Sequence, residues 1–140
     1  MKKSYDFNLE SFSNFLKENK LESTFEKVPK NNAVIVKVAN FEEMEILFRG
    51  RYIWAICYEK RYWENYVSKP KRVQYVYLDF DKPESFCGSA FAFTYDPKIN
   101  EFTDAANGND NCCPHEYTLY ILEKIFGASE FINKLICKKW

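Results

Sequence analysis

Apolar positions recur every three or four residues in NLESFSNFLKENK (8–20), where Leu9, Phe12, Phe15 and Leu16 fall on one stripe. That spacing predicts an amphipathic helix, with Asn8 placed to cap its first free amides. After the polar break PKNN the pattern changes to AVIVKV (33–38), whose β-branched side chains suit a pleated, half-buried strand. NFEEMEILF (40–48) returns to helical spacing, with Asn40 as cap and Glu42 and Glu43 at the positive end of the helix.

The run IWAICY (53–58) has no polar face and predicts a fully buried strand. EKRYWENYV (59–67) predicts a helical turn or short helix with Tyr62, Trp63 and Tyr66 pointing inward. RVQYVYLDF (72–80) alternates, placing Val73, Tyr75, Tyr77 and Asp79 on one side and Gln74, Val76, Leu78 and Phe80 on the other. SAFAFTY (89–95) predicts a further strand, and DPKINEF a turn into a short strand around Phe102 and Thr103. The loop AANGNDNCC leads to Pro114, suited to the first turn of a helix over 114–126 that ends at Gly127. That helix is apolar on most sides and so predicts deep packing, and Ser129 can cap a last helix over 129–140. The whole reads as one α+β domain spanning 1–140, a mainly antiparallel sheet of about five strands flanked by N-terminal and C-terminal helices.

Composition supports a single core: 140 residues at 46% hydrophobic can bury one without disulfides or metal. Five cysteines at irregular spacing argue against a disulfide framework and for a reducing compartment. The start, MKKSYDFNLESF, has no apolar stretch of signal-peptide length, and no run approaches the ~18–20 apolar residues that span a bilayer. A soluble, cytoplasmic chain is the expectation. Twenty basic and twenty acidic residues cancel, which argues against a broadly basic nucleic-acid binder and against a uniformly acidic mimic of nucleic acid. The balance is uneven along the chain. Residues 49–72 carry seven basic against two acidic side chains, a net +5, and 73–123 carry two basic against nine acidic, a net −7. If folding keeps these segments apart, the domain has a basic, tyrosine-rich face and an acidic one.

Candidate chemistry is sparse. His115 is the single histidine, in CCPHE, so Cys112, Cys113 and His115, with Cys87 as a fourth ligand, are the available zinc set. Adjacent cysteines lack the two-residue gap that turns both sulfurs onto one ion, so the simpler reading makes Cys113 a cap and Cys112 a small buried hydrophobe. A thiolate at the helix start with His115 as base is the enzymatic alternative, though side chains two residues apart seldom converge. TDAANGND is not a calcium loop, because aligning Gly108 with the invariant glycine puts Thr103 at the first ligand position. Four glycines leave no phosphate-cradling loop. No catalytic residue, metal or cofactor is therefore expected.

The order IWAICYEKRYWENYV, QYVYLDFDKPES and FAFTYDPKINEFTDAANGND resembles a pattern in small proteins of phages and mobile elements. The matching positions are Trp54 with Cys57, Trp63 with Tyr66, Tyr75 to Asp79, and Asp104 to Asn111, about half of the chain. The resemblance implies a compact inhibitor of a bacterial defence system, of the anti-CRISPR type, and brings no catalytic residues with it. The expected function is a non-enzymatic interaction module in a bacterial cytoplasm, binding a protein or ribonucleoprotein target such as a CRISPR effector. Arg61, Tyr62, Lys71 and Arg72 form one candidate binding face, and Asp79, Asp81 and Glu84 the other; Trp54 and Cys57 belong to the core. Lys69 joins the basic set in the alternative reading, direct RNA or DNA contact through 49–72. Exposed aromatics would also suit pairing of two copies.

Overall fold

The fold is seen in a computed structural model, which describes residues 4–27, 32–52, 54–85, 89–96 and 98 and the backbone of 101–103. The expected loop 105–113, the helices over 114–126 and 129–140, and Cys87, Cys112, Cys113 and His115 lie outside the described residues.

Helix α1 (Leu9–Glu18) starts at Asn8, whose extended backbone lets Oδ1 accept a bond from the Ser11 amide at 2.8 Å. Phe12, Phe15 and Leu16 form its buried stripe. The helix stops without a glycine. Lys20 takes a left-handed φ of 53°, the Leu21 amide bonds Leu16 O at 3.0 Å and the Lys20 amide bonds Lys17 O at 3.2 Å. This paired closure satisfies carbonyls that the helix end leaves free.

Strand β1 (Thr24–Lys27) was not signalled by the sequence, since only Phe25 of its four residues is apolar. It pairs antiparallel with β2 (Ala33–Val38). Helix α2 (Phe41–Phe48) follows, capped by Asn40 as expected. Glu43 does more than face the helix dipole: its buried carboxylate accepts from the Glu22 and Ser23 amides at 2.8 Å and from Ser23 Oγ at 2.6 Å. It ties the α1–β1 corner to α2.

The described residues of IWAICY, 54–58, do not form a strand. Residues Ala55–Cys57 form a 3₁₀ turn, held by Cys57 N to Trp54 O at 3.1 Å and Tyr58 N to Ala55 O at 3.0 Å. A short run that is apolar on every side fits a buried turn as well as a buried strand, because periodicity alone does not separate them. Helix α3 (Lys60–Trp63) then widens into a π turn over Glu64–Ser68.

Strand β3 (Val73–Asp79) returns beside β2, and β4 (Ala90–Asp96) pairs with β3, all antiparallel. These four strands make the body of the sheet, and Glu101–Thr103, β5, pairs with the end of β4. Strands lie in chain order. The class is α+β with an antiparallel sheet, as the sequence predicts. One face of the sheet, with Val34, Val36, Val76, Leu78 and Ala92, packs against Phe12, Phe15, Met44, Leu47, Phe48, Ile56 and Trp63. The segment 39–72 between β2 and β3 thus lies over one face. Among the described residues no helix is long and apolar enough to cross a membrane.

Phe12 has no solvent exposure and meets Tyr5 edge-on at 4.9 Å between ring centres, with Phe25 and Phe80 each at 5.9 Å. Phe12→Ala removes a ring from the centre of this cluster and is expected to cost about 3–5 kcal/mol of unfolding free energy. Ile46, 48% exposed on α2, is the control, and Ile46→Ala is expected to stay within about 0.5 kcal/mol. Urea unfolding followed by circular dichroism measures both; a Phe12→Ala loss no greater than that of Ile46→Ala contradicts the packing.

Candidate docking surface

The segment 59–72 faces two ways. Trp63 and Val67, one turn apart, are buried, and the Trp63 ring lies 6.5 Å from that of Phe41 in an edge-on arrangement. With these two anchored inward, the neighbouring positions reach the surface. Tyr62 and Tyr66 lie side by side with ring planes 6° apart and centres 6.2 Å apart. Tyr62 is half-buried and Tyr66 is 44% exposed, so Tyr66 does not point inward as the sequence reading expected. Val67 takes the inward place instead. The wide turn, with Lys69 N bonded to Glu64 O at 2.8 Å, is the local geometry in which Val67 follows Trp63 into the core.

Arg61 is exposed, its guanidinium 4.9 Å from the centre of the Tyr62 ring and its Nε 3.2 Å from Glu59 Oε1. A guanidinium over a phenol ring gains from the ring's negative face and keeps its hydrogen-bonding edges free. Lys60, Lys69 and Lys71 are also exposed. Lys71 has a structural task besides its charge. It holds φ of 58° as the Arg72 amide bonds Val67 O at 2.9 Å and its own amide bonds Ser68 O at 3.1 Å, the same closure that ends α1. Arg72 turns partly inward, its Nε 3.7 Å from the buried Asp96 carboxylate.

Upstream, Tyr58 is 38% exposed and its hydroxyl fastens the bend after α2, donating to Tyr52 O and accepting from the Gly50 amide, both at 3.0 Å. Gly50 has φ of 87°. Arg49 lies over the Tyr58 ring at 5.3 Å. Neither Tyr58 nor Tyr66 is among the binding residues that the sequence suggests. Which of four closely spaced tyrosines reach solvent depends on the turn geometry of 55–68, and only the helical offset of Tyr66 from Tyr62 hinted at their pairing.

The acidic trio is divided. Asp79 is buried at the end of β3, where Oδ1 accepts from the Asp81 amide at 3.0 Å and Oδ2 lies 3.8 Å from Lys82 Nζ. Its carboxylate shapes the turn. Glu84, half-buried, pairs with Arg51 at 2.6 Å. Asp81 alone is exposed, with Oδ2 3.4 Å from the Asn32 amide. The basic and acidic segments are therefore bridged by Arg51–Glu84 and Arg72–Asp96 rather than held wholly apart. Arg51 also bonds Ser4 Oγ at 3.0 Å and the Tyr5 carbonyl, and its guanidinium covers the Tyr5 ring at 3.7 Å. Tyr5 in turn donates to Leu47 O at 2.7 Å. One arginine thus joins the N-terminal segment, the bend after α2 and the β3–β4 connection.

Trp54 and Cys57 are buried, as expected from sequence. Loss of solvent pushes the Cys57 thiol up to about 12, which keeps it protonated and unreactive at neutral pH. Burial likewise raises the phenols of Tyr5 and Tyr52 far above their ordinary value. Among the described residues no cluster of three or more His, Cys, Asp or Glu side chains is arranged to hold a metal ion. A surface groove between α1 and β1, about 460 Å³, is lined by Leu9, Glu10, Ser13, Asn14 and Phe25, with Glu10 as the one ionisable side chain of that lining. No protein-family model, curated protein or solved structure matches the chain.

Cys57, Tyr5 and Tyr52 all have folded pKa values raised above their unfolded ones, so their contribution to stability is complete below the unfolded thiol value of 9.0 and is lost as pH climbs toward 12. Urea midpoints are expected to fall steadily from pH 9 upward, with tyrosinate absorbance from the two buried phenols rising only with unfolding. A flat midpoint to pH 11 would contradict it. Separately, a lysine in the left-handed region costs about 1–2 kcal/mol and glycine returns about 0.5–1 of that to the unfolded chain. Lys20→Gly and Lys71→Gly are each expected to stabilise by about 0.5–1 kcal/mol, read as raised thermal midpoints; a loss at either site contradicts the closure described.

Proposed function

We propose that the protein is a non-enzymatic docking module that binds a protein or ribonucleoprotein target through Arg61, Tyr62 and Tyr66. The full chain on this reading is a sheet of about five strands flanked by helices from both ends. The observation that carries the proposal is the parallel Tyr62–Tyr66 pair, with the Arg61 guanidinium over the Tyr62 ring and the buried Trp63 and Val67 beside them in the same segment. Tyrosine and arginine dominate binding hot spots because they bring large contact area with few rotatable bonds lost, and a rigid base lowers that loss further. Lys71 and the exposed Asp81 serve approach and register, whereas Arg72, Asp79 and Glu84 have partners within the fold.

The resemblance to phage and mobile-element proteins gives the target class: a component of a bacterial defence system, met in the bacterial cytoplasm, as for anti-CRISPR inhibitors. The exposed lysines beside stacked tyrosines favour a second reading, direct contact with single-stranded RNA or DNA, in which the rings stack on bases.

Arg61→Glu combined with Tyr66→Ala separates the outcomes. Both side chains are exposed, so unfolding free energy should change by less than about 0.5 kcal/mol. Affinity capture from a host with active defence systems is expected to recover a defence component with the native chain and to lose at least 30-fold in affinity with the double variant, about 2 kcal/mol. Retained capture by the double variant, or capture of no defence component, contradicts the proposal. Binding to single strands that collapses between 50 and 200 mM salt would transfer the site to nucleic acid.

A further inference from the structure

Strand β1 stands at one edge of the sheet, and among the described residues no strand lies beyond it. A strand bonded on one side only turns the amide and carbonyl of every second residue outward. Thr24, Glu26 and Lys27 are exposed along this edge. Helix α1 runs beside it. Between the two lie adjoining hollows that share Ser13 and Phe25 in their walls: the one of about 460 Å³ reaches toward Leu9, and another of about 360 Å³ reaches toward Leu16 and Leu21. Phe25 is paired opposite Val36, so its ring stands on the α1 side of the sheet, where it meets Phe12 at 5.9 Å between ring centres. Leu9, Leu21 and Phe25 are only half-buried, which leaves apolar surface on the groove walls. The two ends differ in charge. Glu10 is the ionisable side chain of the first hollow, and Lys17 and Lys20 are those of the second, all three exposed.

We infer that this groove takes an extended segment of a partner protein, which adds to β1 as an antiparallel strand, seats two apolar side chains at positions i and i+2 in the hollows, and ends in acidic residues beside Lys17 and Lys20. The outward backbone row selects an extended chain over a helix, because only another strand meets those groups in register. Side chains i and i+2 of a strand project from one face about 7 Å apart, which suits two adjoining hollows. Charge sets the direction. Strand β1 runs from Thr24, at the lysine end, to Lys27, so an antiparallel newcomer runs the other way and brings its C-terminal residues to Lys17 and Lys20. A second copy fits this edge less well: pairing Phe25 with Phe25 about a two-fold axis carries the copy's Lys27 toward the same two lysines. The groove uses none of Arg61, Tyr62 and Tyr66, so it is a second surface, independent of the one proposed above.

The probe is a terminally blocked, fluorescein-labelled peptide, Thr-Val-Thr-Ile-Thr-Glu-Glu, titrated with the full chain. Saturable binding is expected, with amide shifts in the nuclear magnetic resonance spectrum centred on Thr24–Lys27 and on Ser13 to Leu21. Moving both glutamates to the N-terminus should weaken binding at least about fivefold, and so should Lys17→Glu, whose side chain is exposed. N-methylation of one alternate set of peptide amides should abolish binding, and of the other set should leave it within about twofold, since only one set faces β1. Arg61→Glu with Tyr66→Ala should leave peptide binding unchanged, which separates this groove from the tyrosine surface. No binding at millimolar peptide, binding of the acid-first peptide as tight as the original, or equal tolerance of both methylated sets overturns the inference. So does protection of all the Thr24–Lys27 amides from hydrogen exchange in the free monomer, which means the edge is already filled. Shifts of those amides with concentration of the chain alone overturn it too, and assign the edge to a second copy.

Discussion

The structure depends on covering the apolar face made by Val34, Val36, Val76, Leu78 and Ala92 with a segment that leaves the sheet at Val38 and returns at Val73. That segment must contribute large apolar side chains at irregular intervals while its backbone stays hydrogen-bonded. It does so with short pieces: α2, one 3₁₀ turn and α3 running into a π turn. Each piece delivers plugs to the core, Leu47 and Phe48, then Trp54, Ile56 and Cys57, then Trp63 and Val67. With these fixed inward, Tyr58 and Tyr66 stay at the surface.

The polar framework follows the same logic. Two ion pairs withdrawn from the surface, Arg51 with Glu84 and Arg72 with Asp96, link elements that the chain separates. A charge withdrawn from water needs such a partner to avoid a large desolvation cost. Lys60, Arg61, Lys69, Lys71 and Asp81 keep their charges exposed at the surface. The contrast between net +5 and net −7 along the chain is therefore partly spent on holding the fold together.

Regular elements were legible where period and cap agreed. Asn8 with the Phe12–Phe15–Leu16 stripe, Asn40 before α2, and the alternation of Val76 and Leu78 against Tyr75 and Tyr77 all appear as the sequence indicates. IWAICY failed because an all-apolar run has no face to reveal its period. Strand β1 failed because Phe25 alone marks it. The ends of α1 and of the 59–68 helical segment were hidden because lysine, not glycine, occupies the left-handed position. For the candidate site, Arg61, Tyr62, Lys71 and Asp81 sit at or near the surface, and Asp79 turns into its own local turn with Asp81 and Lys82, but the inward turn of Glu84 and Arg72 comes from tertiary partners at positions 51 and 96 that no local pattern announces.

The central claim is that one aromatic-rich stretch sends its tryptophans inward and two of its tyrosines outward. Trp54 and Trp63 are 6% and 7% exposed, against 38% for Tyr58 and 44% for Tyr66. Hydroxyl-radical footprinting of the native chain, read residue by residue by mass spectrometry, measures this directly. The account predicts rapid oxidation at Tyr58 and Tyr66 with Trp54 and Trp63 protected until the protein is unfolded. Native oxidation of Trp54 or Trp63 at the rate of those tyrosines would contradict it.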